Sequence, residues 1–505
     1  MNIIIVALML SVASMPLVHI EPEQETPPAA IQLELVEPDW SQIGDGNYSP
    51  WVVTAEGETV WNPTKSFNNW LDTIPDEDKA WPILVDLRYK YDSFFSNNHF
   101  GFLPDVGEDF DEDGVDDWTQ LSALFDQTDM KPIMDQFLEA MGKPRMGDPL
   151  LLNETDPYSR QVFERYGIED HIENNPSMNP QLIECTFFSL GTTKQITQLS
   201  VSYLSYIAEK GEIETFAANY IIMYQGSLLT DETPYLISTL VSIASQRRLL
   251  NLLRWTLFTH GDAFTEDQLA QFDRVIADKS IDQLAVVGEQ LQFHDFVRRV
   301  FYLPNLTNYT EQEQLGPPIS VSYDLLPIVV RKTMALYDIP LNAAHDASKT
   351  YAFDASNTID WSVQEDELKE LDSPIEAIGR LLVDMMMPAT DQAVNRVHRH
   401  RANTQAMRLA IATHRHKLRH GSFPETIEHF DRNLIDFDFI DQFVGGNMIY
   451  RLHPSIGPMI YARGYDGDDD QGRHATDLFL ETMRKDGDFV YYPNPWATQE
   501  HLDDE

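Results

Sequence analysis

Between Gln120 and Met387 the chain is punctuated as a succession of helices, and that punctuation limits the fold more than any single motif. Ile196, Leu199, Tyr203, Leu204 and Ile207 recur at helical spacing and stop at Gly211. Ile213, Phe216, Ala217, Tyr220 and Ile221 make the next apolar stripe. Thr233-Pro234 reads as an N-cap followed by proline at the first helical position, with Leu236, Leu240, Ile243, Leu250 and Leu253 behind it. Thr265 with Gln268, and Ser280 with Gln283, read as capping boxes. Ser373-Pro374 with Glu376 opens another helix through Ile378, Leu381 and Leu382. Helices of this length joined by short linkers predict antiparallel neighbours, and no fixed repeat period is present. The expected fold class is mainly α: a multi-helix antiparallel body.

The flanks read differently. Residues 21–105, rich in Pro, Asn and Trp, predict an irregular arm with a first helix near Lys79–Phe94. Residues 106–120 form an acidic loop, and 121–388 the helical domain. After Met387-Pro388 a long helix runs to about His420, where Gly421 and then Pro424 stop it. Asn447–Leu452, Met459–Ala462 and Phe489–Tyr492 predict a small antiparallel sheet, so 389–495 reads as an α+β module ahead of an acidic tail at 496–505.

Charge narrows the function classes. Lys and Arg number 36 against 81 Asp and Glu, a formal charge of −45, while 43% of residues are hydrophobic. That content sustains buried cores, and the charge repels nucleic-acid phosphates and anionic lipid. A single cysteine, Cys185, excludes an internal disulfide and a cysteine-built zinc site; between Ile183 and Phe187 it reads as a small buried hydrophobe. Residues 1–20 are nearly all apolar, with small residues at Ser11 and Ala13 as a signal peptidase requires, and Pro16 interrupts the run. They predict a signal peptide or an N-terminal anchor, hence a periplasmic, cell-envelope or extracellular location, with membrane contact through this segment alone if it is uncleaved.

The C-terminal residues carry a resemblance. In order come a long helix, Gly421-Ser-Phe-Pro424, Asp441-Gln-Phe-Val-Gly445, Tyr450-Arg451, Tyr461-Ala-Arg-Gly464-Tyr-Asp466-Gly467, and Gly487-Asp488-Phe489. This order resembles the globular part of the type II secretion major pseudopilin over roughly residues 400–493. Gln442 stands where that family has proline and Ala462 where it has serine, and no pilin-type leader directly precedes the helix. The resemblance implies one long helix packed on a small sheet, with calcium held by the late acidic loop through Asp466, Asp468 and Asp488. The whole arrangement also resembles a set of exported proteins of planctomycete-type bacteria that share the leader, a helical middle with a phrase like Pro234–Ala244, and this tail. That similarity implies location and architecture and no activity.

The sharpest local signal is the run Asp109-Phe-Asp111-Glu-Asp113-Gly114-Val115-Asp116-Asp117. Calcium takes six to eight oxygens, and acids at alternate loop positions turn successive carboxylates inward. Asp109, Asp111 and Asp113 would be ligands, Gly114 the sharp turn, Val115 a carbonyl donor and Asp117 the ninth position. Gln120 takes the twelfth position, where EF-hands carry a bidentate Glu. The pattern is closer to thrombospondin type 3 and bacterial D-x-D-x-D-G-x-x-D loops. Glu108 to Asp117 packs seven acids into ten residues. Each close pair costs about 1 kcal/mol in water, which a divalent ion reverses.

From Arg396 to His420 the chain has no acid, seven Lys or Arg, and histidines at 398, 400, 414, 416 and 420. Such a helix pairs with acidic surface of its own fold, or docks an acidic partner or envelope polymer. His416 and His420, four apart, share one helix face on which a metal could sit; without an H-E-x-x-H pattern they do not read as a zinc hydrolase, and surface histidines are the default reading. No nucleophile elbow, P-loop or dinucleotide fingerprint occurs. Trp51, Trp61, Trp70 and Trp81 read as aromatic core before they read as a sugar cleft. The sequence therefore predicts a non-enzymatic exported envelope protein with calcium-stabilised loops. An exported hydrolase using distant carboxylates, and a secretion-apparatus component, are the alternatives. Fusion of residues 1–20 to a periplasmic reporter should export it, and cytosolic retention of the fusion would remove the envelope assignment.

Overall fold

The computed structural model describes residues 38–40, 43, 48–98, 122, 125–126, 130–152, 156–168, 182, 185, 188–279, 281, 283–302, 324, 326–349, 390–464, 467–473 and 487–493. The leader, the calcium-type loop with Asp109, Asp111, Asp113, Val115, Asp117 and Gln120, the Ser373-Pro374 start, Asp466 and the acidic tail lie outside them. Among the described residues the protein is mainly helical, with eleven α-helices. These are α1 Pro63–Leu71, α2 Trp81–Asn98, α3 Met130–Met141, α4 Pro157–Tyr166, α5 Phe188–Glu209 and α6 Ile213–Gly226. They continue as α7 Leu236–His260, α8 Glu266–Asp278, α9 Val287–Tyr302, α10 Ile328–Ser348 and α11 Thr390–His420. A hairpin pairs β1 Trp51–Val53 with β2 Thr59–Trp61, and an antiparallel sheet of order β3-β4-β5 joins Ile449–His453, Gly457–Ala462 and Phe489–Tyr492. None of the described helices is long and apolar enough to cross a membrane.

Local chemistry explains most helix ends. The Thr265 hydroxyl accepts from Gln268 N (3.2 Å) while Gln268 Oε1 accepts from Thr265 N (2.8 Å), so the capping box opens α8 as expected. Gly211, at φ 75°, separates α5 from α6. Two starts differ from the sequence reading. α7 begins at Leu236 rather than at Pro234 because its first turn is capped from elsewhere: Glu289 Oε1 accepts from Leu236 N at 2.7 Å. Pro234 stays outside the helix, its carbonyl accepting from Gly288 N (2.7 Å); a Cβ at Gly288 would strike that carbonyl. Residues 283–286 are not helical, and α9 starts at Val287. Leu284 N donates to Ser348 Oγ (2.9 Å) and the Leu284 side chain is buried, so packing takes this stretch from the expected Gln283 helix.

The arm is also more ordered than its composition suggests. Asn62-Pro63 starts α1 as an N-cap with proline at N1, Asn62 Oδ1 accepting from Lys65 N at 2.9 Å. Trp40, Tyr48, Trp61 and Phe67 are buried against Leu150 and Leu291, with Trp51 and Trp70 packed alongside. Trp81 is buried with Phe163 and Ile168. The four tryptophans singled out above are therefore core or core-edge. Arg298 lies over Trp61, its guanidinium 4.1 Å from the ring.

Two long helices unite the interior. α7 and α11 each place one end in a core with α9 and α10, through Leu236, Ile243, Ala393, Val394 and Val397. Their other ends enter a larger core with α2, α3, α5, α6 and α8, through Leu249, Leu253, Ala406, Leu409 and Ile411. Ile460, Tyr491 and Tyr492 of the sheet belong to this same core. The cations of α11 leave sideways to acids of the same chain. Arg408 meets Asp273 (2.7 Å), Arg415 meets Glu266 (3.0 Å), Lys417 meets Asp262 (2.5 Å), and Arg419 meets Glu266 (2.5 Å) and Asp431 (3.2 Å). Pairing within the fold is the outcome for these four.

Side-chain bonds fasten the sheet to α11 and to the turn before it. His414 Nε2 and Tyr492 OH are 2.7 Å apart, Tyr450 OH donates to Pro424 O (2.8 Å), and Gln442 Nε2 donates to Tyr491 OH (2.9 Å). Asp441, fully buried, accepts from Phe443 N (2.9 Å), Val444 N (3.3 Å) and Arg463 N (2.9 Å), pinning a turn to the end of β4. Replacing Asp441 with Ala would strand three backbone N–H groups, a loss of about 3 kcal/mol. Chemical denaturation should register it, and a neutral change would show that the turn does not depend on this carboxylate.

Three buried histidines of α11 set an acid limit. Burial holds His400 down to about 3 and His398 and His414 to about 4, with Arg401 lowering the first two further and Lys417 the third. Each is neutral in the fold and gains a proton in the unfolded chain below about 6.5. Their contribution is complete above pH 6.5 and is lost as pH falls toward 4. Burial acts oppositely on Asp148, Glu289 and Asp488, raised to about 7, 8 and 7. A single-site comparison separates the two trends. His400→Leu should lose less stability than the parent between pH 7.5 and pH 5, by about 2 kcal/mol. Parallel pH profiles would assign the acid loss elsewhere.

Candidate metal centre

The late acidic loop lies between β4 and β5, where Gly467–Arg473 return against Asp488 at the foot of β5. Two consecutive residues with positive φ, Gln471 (61°) and Gly472 (89°), turn its backbone. A side chain at Gly472 would also strike Met459 of β4. This turn aims two amides at carboxylates: Gln471 N donates to Asp469 Oδ1 (2.9 Å) and Gly472 N to Asp488 Oδ2 (2.7 Å). Tyr461 OH donates to Asp469 Oδ1 (3.0 Å), and Asp488 N donates to Arg473 O (2.8 Å). The sheet therefore positions Asp488 and Tyr461 rigidly, and the turn positions the acids facing them.

The electrostatics are unfavourable for a bare carboxylate. Asp488 is fully buried, and its other oxygen, Oδ1, accepts no hydrogen bond. Asp470 Oδ2 is likewise buried and unbonded. Burial, then the like charges of Asp469 and Asp470, push the Asp488 carboxyl up to about 7. A buried acceptor without a donor costs about 1–3 kcal/mol, more when charged. Among the described residues these carboxylates do not gather three ligand atoms within reach of one ion; His416, His420 and Asp431 do.

The residues brought together differ from those the sequence order picks. Asp488 is buried, Asp470 is half-buried, Asp468 and Asp469 are both exposed, and Asp466 is outside the described residues. Asp469 and Asp470 are the acids that act on Asp488. The signal for them is present as the run Asp468-Asp469-Asp470, but motif spacing alone does not say which members of a run act on Asp488.

The other raised carboxyls serve the scaffold. Asp148, buried beneath α5, accepts from the Ser189 hydroxyl, and Glu289 caps α7. Cys185 has a thiol that burial raises well above its ordinary value, in keeping with a packed rather than a reactive sulfur. Comparison of the chain with protein-family models, with curated proteins and with solved structures finds no match.

Proposed function

We propose that this chain is an exported, non-enzymatic cell-envelope protein. In this reading the helical body is a scaffold that presents surfaces to a protein partner or an envelope polymer, and calcium stiffens the acidic loops. The observation that carries the reading is the buried Asp488 carboxylate, whose unbonded oxygen shares its surroundings with Asp469 and Asp470. A long helix packed on a three-stranded sheet, with an acidic loop between the last two strands, supports reading the C-terminal part as pseudopilin-like. The apolar leader and the run from Asp109 to Asp117 support export and a second calcium loop.

Calorimetric titration of the chain with calcium tests this. The parent should bind calcium at millimolar concentration or below and, with calcium a hundredfold above Kd, gain about 2.7 kcal/mol of stability. Asp111→Ala should remove the first-loop heat and Asp488→Asn the late-loop heat. Asp488→Asn should also be more stable than the parent in chelator at pH 8 and less stable in calcium, because the amide keeps an acceptor for Gly472 N without the charge. No heat in the parent, or unchanged heat in both variants, would overturn the reading.

A further inference from the structure

The C-terminal turn of α11 gathers a second set of donors, of different chemistry from the acidic loop. His416 and His420 stand one turn apart with ring centroids 4.3 Å from each other. Gly421, at φ 82°, ends the helix and turns the chain back, and Asp431 arrives on the return segment. His420 Nε2 is 3.1 Å and 3.3 Å from the two Asp431 carboxylate oxygens. One ligand atom from each of His416, His420 and Asp431 lies within 4.8 Å of the others.

We propose that His416, His420 and Asp431 form a binding site for a zinc-class divalent cation, clamping the end of the long helix to the segment that leads into the sheet. Two imidazoles and one carboxylate are a borderline nitrogen and oxygen set, which suits zinc and its first-row neighbours and not calcium or magnesium. Zinc bonds of about 2.1 Å to donors 3.1–3.3 Å apart subtend about 95–104°, within the range of a distorted tetrahedron. The widest donor pair then closes by no more than about 1.4 Å, to the ~3.4 Å of a regular tetrahedron.

The surroundings are those of a supported site. His416 is 7% exposed, and its Nδ1 has no hydrogen-bond partner. Phe430 packs near its ring at 5.8 Å between centroids. Arg419 Nη1 holds Asp431 Oδ2 at 3.2 Å, fixing the carboxylate as an outer-shell partner does. The Arg419 charge is offset by Glu266 at 2.5 Å, and the carbonyl end of a helix favours a cation. His420 is about half exposed, so three protein ligands leave room for water as a fourth.

The test uses the untagged full chain in excess calcium, titrated with zinc and, for its visible absorption, with cobalt(II). The parent should take up one ion more tightly than any remaining surface histidines bind. His420→Ala and Asp431→Asn should each weaken that step by more than about tenfold. Both change partly exposed groups, and circular dichroism should show the parent fold. Asp488→Asn should bind zinc as the parent does. Absence of a tight step in the parent, an unchanged step in His420→Ala, or a loss in His420→Ala without one in Asp431→Asn would each overturn the three-ligand site.

Discussion

The structure depends on placing a strongly basic helix in the middle of a strongly acidic chain. α11 contributes to both main cores, yet carries seven Lys or Arg and five His between Arg396 and His420. Burying that charge unpaired would cost more than the apolar contacts return. Two devices avoid this. The long cations extend sideways to Asp262, Glu266, Asp273 and Asp431, all within the same fold. The histidines that point inward give up their protons, so three of them enter the core neutral.

The same economy of partners recurs elsewhere. α7 and α9 share one polar joint, in which Glu289 caps the first and Gly288 lets the chains approach closely. Asp441 gathers three amides around one buried carboxylate, and Gln442, where the pseudopilin pattern has proline, bonds to Tyr491 instead. The buried atoms without a hydrogen-bond partner include Asp470 Oδ2, Asp488 Oδ1 and His416 Nδ1, alongside scaffold atoms such as Asp148 Oδ1 and Glu289 Oε2. Of these, only His416 belongs to a group of three donors, with His420 and Asp431, that lie within 4.8 Å of one another among the described residues.

Much of the fold was legible because helices announce themselves locally. The stripes in α5, α6 and α7, the Thr265 box, the Gly421 stop and the three C-terminal strands all follow from neighbours within a few residues. The hairpin and α1 were missed, although Asn62-Pro63 carried a start signal, because the surrounding Trp, Asn and Pro obscure periodicity. The starts at Thr233-Pro234 and Ser280 were misplaced because the deciding bonds come from Glu289 and Ser348, far along the chain. The site was legible in part: Asp488, the acidic run Asp468–Asp470 and the His416–His420 spacing could be read, whereas the approach of Asp431 could not.

The sequence by itself determined a mainly helical chain with a small terminal sheet, a long basic helix that needed acids, and two acidic runs. Periodicity, caps and charge balance are local or additive properties, so they can be summed from residue order. Only the tertiary structure decided which acids meet that helix, which members of the Asp468–Asp470 run face Asp488, and that Asp431 returns to His420. Those pairings join residues separated by turns whose direction is set by packing, and a side chain's charge state follows from what it is buried against.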